Sequence, residues 1–425
     1  MTKRIAVIDG VRTPFCKANG VLRNIEADDL GAIVVKELLA RTGIDPNSVD
    51  ELIFGNVLQP PHATNIARVL AVKGGLPEHV PALTVNRNCA SGMDAIANAS
   101  NKIFHNEGEI FIVGGCESMS HFPVIFSNDM REWLFNFSKA KGIKGKLGAI
   151  GAFRPKFLAP VMPKIADPLC GLTMGQTAEI LSRDFRVTRE EQDNFALKSQ
   201  QRAAEARKSG RFSDEIVPIP LPPKFGQMQE HDDGPRDGQT IEGLNKLKPV
   251  FDKLTGTVTA GTSSQVTDGA VALLIMSEEK AKELGYSPIG YITEYSVAGL
   301  DPSRMGLGPA YATAKLLKKT GAKISDFDLI EINEAFAAQV LAVIKALKSD
   351  EFSKKELGWD HAVGEIDEER LNVNGGAIAL GHPLGASGAR IVLTLIKELQ
   401  RRNKKRGLAT LCVGGGQGQA MMVEV

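Results

Sequence analysis

The sequence predicts an α/β protein made of two similar halves with an insertion between them. Three observations carry this. Strand-like and helix-like patterns alternate along the chain, and the helices are rich in Ala and Gly. Segments from the first third recur, in the same order, towards the C-terminus. Residues 121 to about 250 lack the clean alternation found on either side of them.

The elements follow in order. Met1-Thr-Lys-Arg-Ile-Ala-Val-Ile8 reads as a first strand, because its apolar run is too short for a signal peptide. Ile44-Asp-Pro-Asn-Ser-Val-Asp-Glu-Leu-Ile-Phe-Gly-Asn56 is a turn and an apolar strand ending on Asn, and Lys323-Ile-Ser-Asp-Phe-Asp-Leu-Ile-Glu-Ile-Asn333 repeats it. Leu83-Thr-Val-Asn-Arg-Asn-Cys89 leads into a helix near Ser91, as Leu371-Asn-Val-Asn-Gly-Gly376 leads through His382 into a helix near Ala386. Ile110-Phe-Ile-Val-Gly-Gly-Cys116 matches Leu408-Ala-Thr-Leu-Cys-Val-Gly-Gly-Gly416. Between the halves lie Pro-rich pieces, a polar loop and one clear helix whose start is marked by the capping box Thr188-Arg-Glu-Glu191. The expected organisation is residues 1–120 plus 251–290 for one half, 121–250 for an inserted loop domain covering the junction, and 291–425 for the other half. Packed about a pseudo-twofold, the halves would bring Cys89 and His382 together.

Bulk composition narrows the function. The chain has 425 residues, 43% of them hydrophobic, which is enough to bury a large core. Its 51 basic and 50 acidic residues nearly cancel, which argues against a nucleic-acid protein. Five widely spaced cysteines without a C-x-x-C pair argue against a disulfide framework and for the cytoplasm. There is no 18-residue apolar stretch for a membrane span. No H-x-x-H or H-E-x-x-H spacing suggests a metal site.

Three residues stand out chemically. Cys89, in Asn88-Cys-Ala-Ser-Gly92, directly precedes small residues that open a helix; a helix N-terminus lowers a thiol pKa and offers free N–H groups to an oxyanion. Cys16, Cys116 and Cys170 lack such flanks and read as structural thiols. His382 sits in a glycine-dense turn before a helix and is the natural base for the thiol; the other six histidines lack comparable surroundings. Cys412 ends a strand and precedes three glycines. A dinucleotide loop there would have to open a helix, but Gln419–Val425 reads as a strand, so a proton-shuttling thiol fits better. Asn333, in Asn333-Glu-Ala-Phe336, can hold a water or an oxyanion, but alone it is better explained as the N-cap of a helix over 335–347.

Together these pieces resemble the thiolases over essentially the full chain. The matching motifs are Arg12-Thr-Pro14, Asn88–Gly92, Gly114-Gly-Cys-Glu-Ser-Met119, Met174-Gly-Gln-Thr-Ala-Glu179, Gly256-Thr-Val-Thr-Ala-Gly261, Asn333–Phe336, Gly381-His-Pro383 and Cys412–Gly416. The resemblance implies a five-layer α/β/α/β/α fold of two halves plus a loop domain. It implies that Cys89 attacks the 3-keto carbon of a 3-ketoacyl-CoA and that His382 takes its proton. The departing acetyl-CoA enolate would be stabilised by His382 and a water on Asn333. Cys412 would protonate that enolate and deprotonate incoming CoA. The N–H groups of Cys89 and Gly414 would form an oxyanion hole around the acyl-enzyme. Coenzyme A enters as co-substrate, with Ser264, Met174, Arg236, Ala260 and Phe336 as expected contacts, and no permanently bound cofactor is implied. Many thiolases carry His where this chain has Thr173.

The long region Phe122–Asp167, with Phe251-Asp-Lys253 and Ser353–Trp359, is most similar to the β subunit of the fatty-acid-oxidation trifunctional complex. That implies 3-ketoacyl-CoA thiolysis in β-oxidation, a homodimer or dimer of dimers, and a hydratase/dehydrogenase α subunit as partner. Such β subunits usually have His where this chain has Asn333. Residues 131–164 hold Arg131, Lys139, Lys141, Lys144, Lys146, Arg154, Lys156 and Lys164 against the single acid Glu132, interleaved with Trp133, Phe135, Phe137, Phe153 and Phe157. They are expected to cover the CoA phosphates and acyl tunnel or a partner, with peripheral membrane contact as the alternative. The competing activities are short-chain acetyl-CoA acetyltransfer and a decarboxylating ketoacyl-ACP synthase, which would lack Cys412. An inactive scaffold of the same fold is the alternative from another class.

Overall fold

A computed structural model describes residues 4–123, 125–161 and 166–425. Lys164 and the Met1–Lys3 start of the expected first strand lie outside the described residues.

The strands are β1 (Ile5–Arg12), β2 (Glu51–Gly55), β3 (Ala82–Val85), β4 (Ile110–Glu117), β5 (Thr267–Ser277), β6 (Gly290–Gly299), β7 (Leu329–Ile332), β8 (Arg406–Val413) and β9 (Gln417–Glu424). They lie in the order β7-β8-β9-β6-β1-β5-β4-β2-β3, and the short strand Cys16–Lys17 pairs with β5. The main helices are α1 (Ala27–Thr42), α2 (Ile66–Lys73), α3 (Ser91–Phe104), α4 (Met174–Asp184), α5 (Arg189–Lys208), α6 (Gly308–Thr320), α7 (Ala337–Lys348) and α8 (Leu384–Arg401).

The repeat seen in the sequence is a repeat in space. β2 runs parallel to β3 and β4, and β4 is antiparallel to β5. In the second half β7 runs parallel to β8, β8 is antiparallel to β9, and Leu371 makes a parallel bridge to Ile330 in the place that β3 holds in the first half. The entries to β2 and β7 also match. α1 ends on Gly43 (φ 63°) and α6 on Gly321 (φ 72°), both left-handed, and each is followed by a short 3-10 turn, Pro46–Ser48 and Ile324–Asp326. β1 and β6 join the halves through an antiparallel stretch, Ile5 opposite Ile292 and Val7 opposite Gly290.

Strand side chains alternate between faces, so each half packs two helix layers. Ala6, Ile8, Ala270, Ala272 and Leu274 face the cluster that contains Leu30, Val34 and Leu70 of α1 and α2. Ile5, Val7, Val271 and Leu273 face the other way, into the cluster with Met93, Ile96, Val392 and Ile396 of α3 and α8. Ala409, Leu411, Met421 and Val423 close on this same central cluster, while Leu408, Ala420 and Met422 face α6 and α7. Five layers result, with α3 and α8 in the middle. α8 is accordingly buried almost all round. Each of its buried aliphatic side chains contributes about 1.5–3 kcal/mol by leaving water.

Arg12 ties the long connection between the halves to the core. Its guanidinium donates to Asp232 at 2.6 and 2.8 Å and to Glu215 at 2.6 Å, all fully buried. α5 begins at its sequence-marked cap, with Thr188 accepting from the Glu191 N–H at 3.1 Å.

Phe122–Ala166 forms a separate compact unit. It holds two helices, Asn128–Lys139 and Gly142–Gly151. Its aromatic residues make a small core: Trp133 stacks on Phe137 at 5.3 Å, meets Phe153 edge-on at 4.9 Å, and donates its indole N–H to the Ala149 carbonyl at 2.8 Å. Ile143, Leu147 and Ile150 remain exposed along one side of the second helix. Among the described residues no helix is long and apolar enough to cross a membrane.

Candidate active site

The site is built where the central helices begin. Cys89 lies in the turn before α3, and His382 lies just before α8. Both helices start with small residues because their first turns touch. A Cβ on Gly388 would fall 2.6 Å from the Met93 nitrogen. The turn after β8 completes the cluster. Gly415 and Gly416 have φ of 90° and 75°, which only glycine adopts without strain, and the turn brings the Gly414 N–H onto the Cys89 sulfur. Two side chains pin this turn from outside: Asn88 donates to the Gly414 carbonyl at 2.8 Å, and Asp167 accepts from the Gly415 N–H at 2.7 Å.

Cys412, the last-but-one residue of β8, lies near enough to Cys89 that a thiolate on one disfavours a thiolate on the other. It packs with Phe336, Ala335 and Met305, against which Met174 and Phe251 also lie. Asn333 follows β7, and its amide nitrogen is 3.5 Å from His382 Nε2. The other ring nitrogen, Nδ1, is 2.6 Å from Ser387 Oγ. Cys89, Cys412, Gly414, His382 and Asn333 are therefore gathered in one region, although they come from four separate stretches of chain.

Asn333 is not a helix cap. α7 starts only at Ala337, with Phe336 in the cap position and no side-chain cap. Two neighbours clamp it instead. Asn372 accepts from the Ile332 N–H at 2.8 Å and donates to the Ile332 carbonyl and to Glu334 at 2.9 and 2.8 Å. Glu334 also accepts from Ser199 at 2.6 Å. Asn333 itself is fully buried, and its side-chain oxygen has no hydrogen-bond partner among the described residues. A buried amide oxygen left open in this way is suited to a small polar guest.

The electrostatics differ from the sequence expectation at Cys89. The N–H groups of Gly414 and of Cys89 itself favour the thiolate, but the loss of water around this half-buried sulfur outweighs them and pushes the thiol up to about 11. Burial also pushes Cys412 well above an ordinary thiol. His382 goes the other way: burial, with help from the nearby Arg390 charge, lowers it to about 4. The resting pair is a neutral thiol and a neutral imidazole.

One further buried group went unassigned in the sequence, although it lies inside the Gly114–Met119 motif. Glu117 accepts from Val57, Leu58 and Gly385 N–H groups at 3.1, 3.0 and 2.9 Å and from Asn56 at 3.1 Å. It ties the start of α8 to the first half. Burial raises its carboxyl to about 7, and its charge adds to the upward push on Cys89.

The remaining sequence candidates are spread over loops and the start of α4. The Ser264 N–H donates to the Ala335 carbonyl at 2.9 Å, next to a bridge between Ser263 and Phe336. Met174 opens α4. Thr173, the departure noted above, caps that helix in a capping box with Gln176. Ala260 and Arg236 are exposed.

Comparison with known proteins now places the chain. The family description Thiolase, N-terminal domain matches residues 5–279, and Thiolase, C-terminal domain matches residues 286–425. The 3-ketoacyl-CoA thiolase of Pectobacterium atrosepticum is 43% identical over 423 residues, covering 99% of this chain and 97% of the relative. That of Aeromonas salmonicida is 42% identical over 424 residues, covering 100% and 97%. Among solved structures, human mitochondrial 3-ketoacyl-CoA thiolase in complex with CoA superposes with a TM-score of 0.84 at 39% identity, covering 100% of this chain and 98% of the other. The acetyl-CoA acetyltransferase of Bacillus anthracis gives 0.85 at 40% identity, covering 100% and 99%. The chain belongs to the thiolase family, and with it to the acyltransferases. The resemblance read from eight short motifs, and the two-halved layered fold it implied, are borne out.

Proposed function

We propose that the protein cleaves 3-ketoacyl-CoA with free CoA, giving acetyl-CoA and an acyl-CoA shortened by two carbons, in fatty-acid β-oxidation. The observation that carries this reading is the cluster of two thiols and one neutral imidazole, in which Cys412 and His382 are buried and Cys89 is half-buried. Carbon–carbon cleavage of a 3-ketoacyl thioester needs a nucleophile for the keto carbon, a sink for the enolate and a proton donor for it, and these residues supply all three.

In this mechanism Cys89 attacks the keto carbon as its proton passes to His382 Nε2. The high thiol and low imidazole pKa values mean that the proton moves only as the carbon–sulfur bond forms. The acetyl-CoA enolate leaves while hydrogen-bonded to the protonated His382 and to a water on Asn333. Cys412 gives that enolate its proton. In the second half Cys412 takes the proton of incoming CoA, whose thiolate attacks the acyl-Cys89; the bond to the Cys89 sulfur then breaks and that sulfur takes back its proton from His382 Nε2. The N–H groups of Cys89 and Gly414 face the thioester oxygen during that attack. Raised thiol pKa values cost nothing at rest and keep both sulfurs protonated until substrate arrives. Run in reverse, the same groups join two acyl-CoA molecules.

Ser264, Met174, Arg236, Ala260 and Phe336 form the CoA side of the site. Met174 and Phe336 support this by packing in one apolar cluster with Cys412. Residues 1–120 with 251–290 and residues 291–425 are the two catalytic halves, and 121–250 is the covering region. The enzyme works in the cytoplasm as a homodimer or dimer of dimers. The outer strand β3, at the end of the sheet with Leu83 exposed, offers an edge for that pairing. A trifunctional-type subclass with a hydratase/dehydrogenase α subunit follows from the length of Phe122–Asp167, with Phe251-Asp-Lys253 and Ser353–Trp359. The basic residues of the first segment, with exposed Ile143 and Leu147, suit a cover, a partner or a membrane surface.

The second activity to weigh is short-chain acetyltransfer, since the Bacillus anthracis neighbour carries that name. A chain-length series of 3-ketoacyl-CoA substrates with free CoA separates the two. Turnover should rise from four-carbon to medium and long chains, and a clear preference for acetoacetyl-CoA would favour the short-chain reading. An inactive scaffold would turn over none of them.

A further inference from the structure

We infer that Ser387 is a positioning residue whose hydroxyl keeps the proton of His382 on Nδ1, so that Nε2 presents the lone pair that takes the Cys89 proton. The inference rests on the reading of His382 as the base, and it adds what makes that base competent.

Two independent contacts fix the proton. On one edge of the ring, Nδ1 lies 2.6 Å from Ser387 Oγ. The Ser387 hydroxyl already has a destination for its single hydrogen, the Pro383 carbonyl at 2.9 Å. With that hydrogen on Pro383 the hydroxyl accepts from the ring, which places a hydrogen on Nδ1. On the other edge, Nε2 faces the Asn333 side-chain nitrogen at 3.5 Å. An amide NH2 only donates, so even at this outer limit of hydrogen bonding the contact favours the lone pair on Nε2. Both edges favour the same tautomer. His382 and Ser387 are both buried, so bulk water offers no alternative partner to either.

The local fold explains why serine stands here. Ser387 is in the first turn of α8, one turn after Pro383, and its hydroxyl bonds back to the carbonyl four residues earlier. The loop before the helix carries His382 back over that turn. When Cys89 attacks, the Sγ–H bond breaks, its electron pair stays with sulfur for the new carbon–sulfur bond, and the proton joins Nε2. The imidazolium then donates from Nδ1 to Ser387 in a charge-assisted bond. Without the hydroxyl, the buried Nδ1–H has no acceptor, and moving the proton to Nε2 relieves this while blocking the base.

The test uses full-length protein with 15N-labelled histidine: wild type, Ser387→Ala and Ser387→Thr, with His382→Asn to assign the signal. Ring nitrogen shifts at pH 7 report which nitrogen bears the proton. The wild type should show Nδ1–H. S387A should move to Nε2–H or a mixture, with kcat lower by about 10- to 100-fold, the size seen when a hydrogen-bond partner of a metal-bound histidine is removed, and with KM little changed. S387T should restore both readouts. A wild-type ring protonated on Nε2 would overturn the inference, and so would an S387A protein that keeps both its Nδ1–H signal and its kcat. The wild-type tautomer decides even where S387A fails to fold. Should the ring behave as expected in a protein that performs no thiolysis, the proposed activity fails and the role of Ser387 stands.

Discussion

Gly92, in the first turn of the helix after Cys89, lies against Gly385, in the first turn of the helix after His382. A Cβ on Gly92 would sit 2.7 Å from the Gly385 carbonyl oxygen. This contact between two backbones, one from each half, sets how near the nucleophile and its base can come. Gly92→Ala should push the helices apart. A stability loss of about 1–3 kcal/mol is expected from overpacking of this kind, read by urea unfolding. Thiolysis should fall by more than the folded fraction does. An alanine variant with full activity would mean that the spacing of α3 and α8 does not govern the site.

The two thiols should separate cleanly by mutation. Cys89→Ser should lower thiolysis by on the order of 10³-fold or more, as loss of a covalent nucleophile does. Cys412→Ala should lower steady-state turnover by about 10²- to 10⁴-fold, the usual contribution of a general acid or base. It should leave Cys89 open to iodoacetamide, as checked by peptide mass. Loss of labelling at Cys89 in the Cys412 variant would contradict this division of labour.

Reactivity of Cys89 should follow its raised pKa. A thiol pushed to about 11, beside a histidine lowered to about 4, carries almost no thiolate at neutral pH. The rate of alkylation of Cys89 in the free enzyme should therefore keep climbing through pH 9 and 10. A plateau beginning below pH 8 would reveal a preformed thiolate–imidazolium pair and refute the neutral resting state.

Arg12 offers a test of how the long connection is held. It is buried with Asp232 and Glu215. Arg12→Met leaves two buried carboxylates without their cation, and about 3–5 kcal/mol of destabilisation is expected, measured by denaturant unfolding. Asp232→Asn should cost less, because Arg12 keeps Glu215. A loss under about 1 kcal/mol in Arg12→Met would show that the clamp is not structural.

The sequence showed a good deal of this. The recurrence of an apolar strand ending on Asn, at Asn56 and Asn333, became two matching strands, and the Thr188–Glu191 box marked its helix because capping is local chemistry. Cys89, His382 and Cys412 could be picked out because glycine and small residues flank them for reasons of close approach. What could not be read depends on residues far apart in the chain. The rise of the Cys89 thiol comes from burial by both halves and from Glu117, none of which its neighbours in sequence reveal. Asn333 looked like a cap because Asn before a helical pattern usually is one, and only the clamp by Asn372 shows why it stays free. Ser387 looked like one more small residue of a packed helix.

The central claim is that Cys89 carries the acyl group. The direct measurement is to mix the enzyme with a medium-chain 3-ketoacyl-CoA in the absence of free CoA, quench in acid, and locate the added mass by peptide mass spectrometry. A shortened acyl thioester on Cys89, released on adding CoA, is the result expected. The acyl mass on Cys412, or no covalent adduct while acetyl-CoA is still produced, would contradict it.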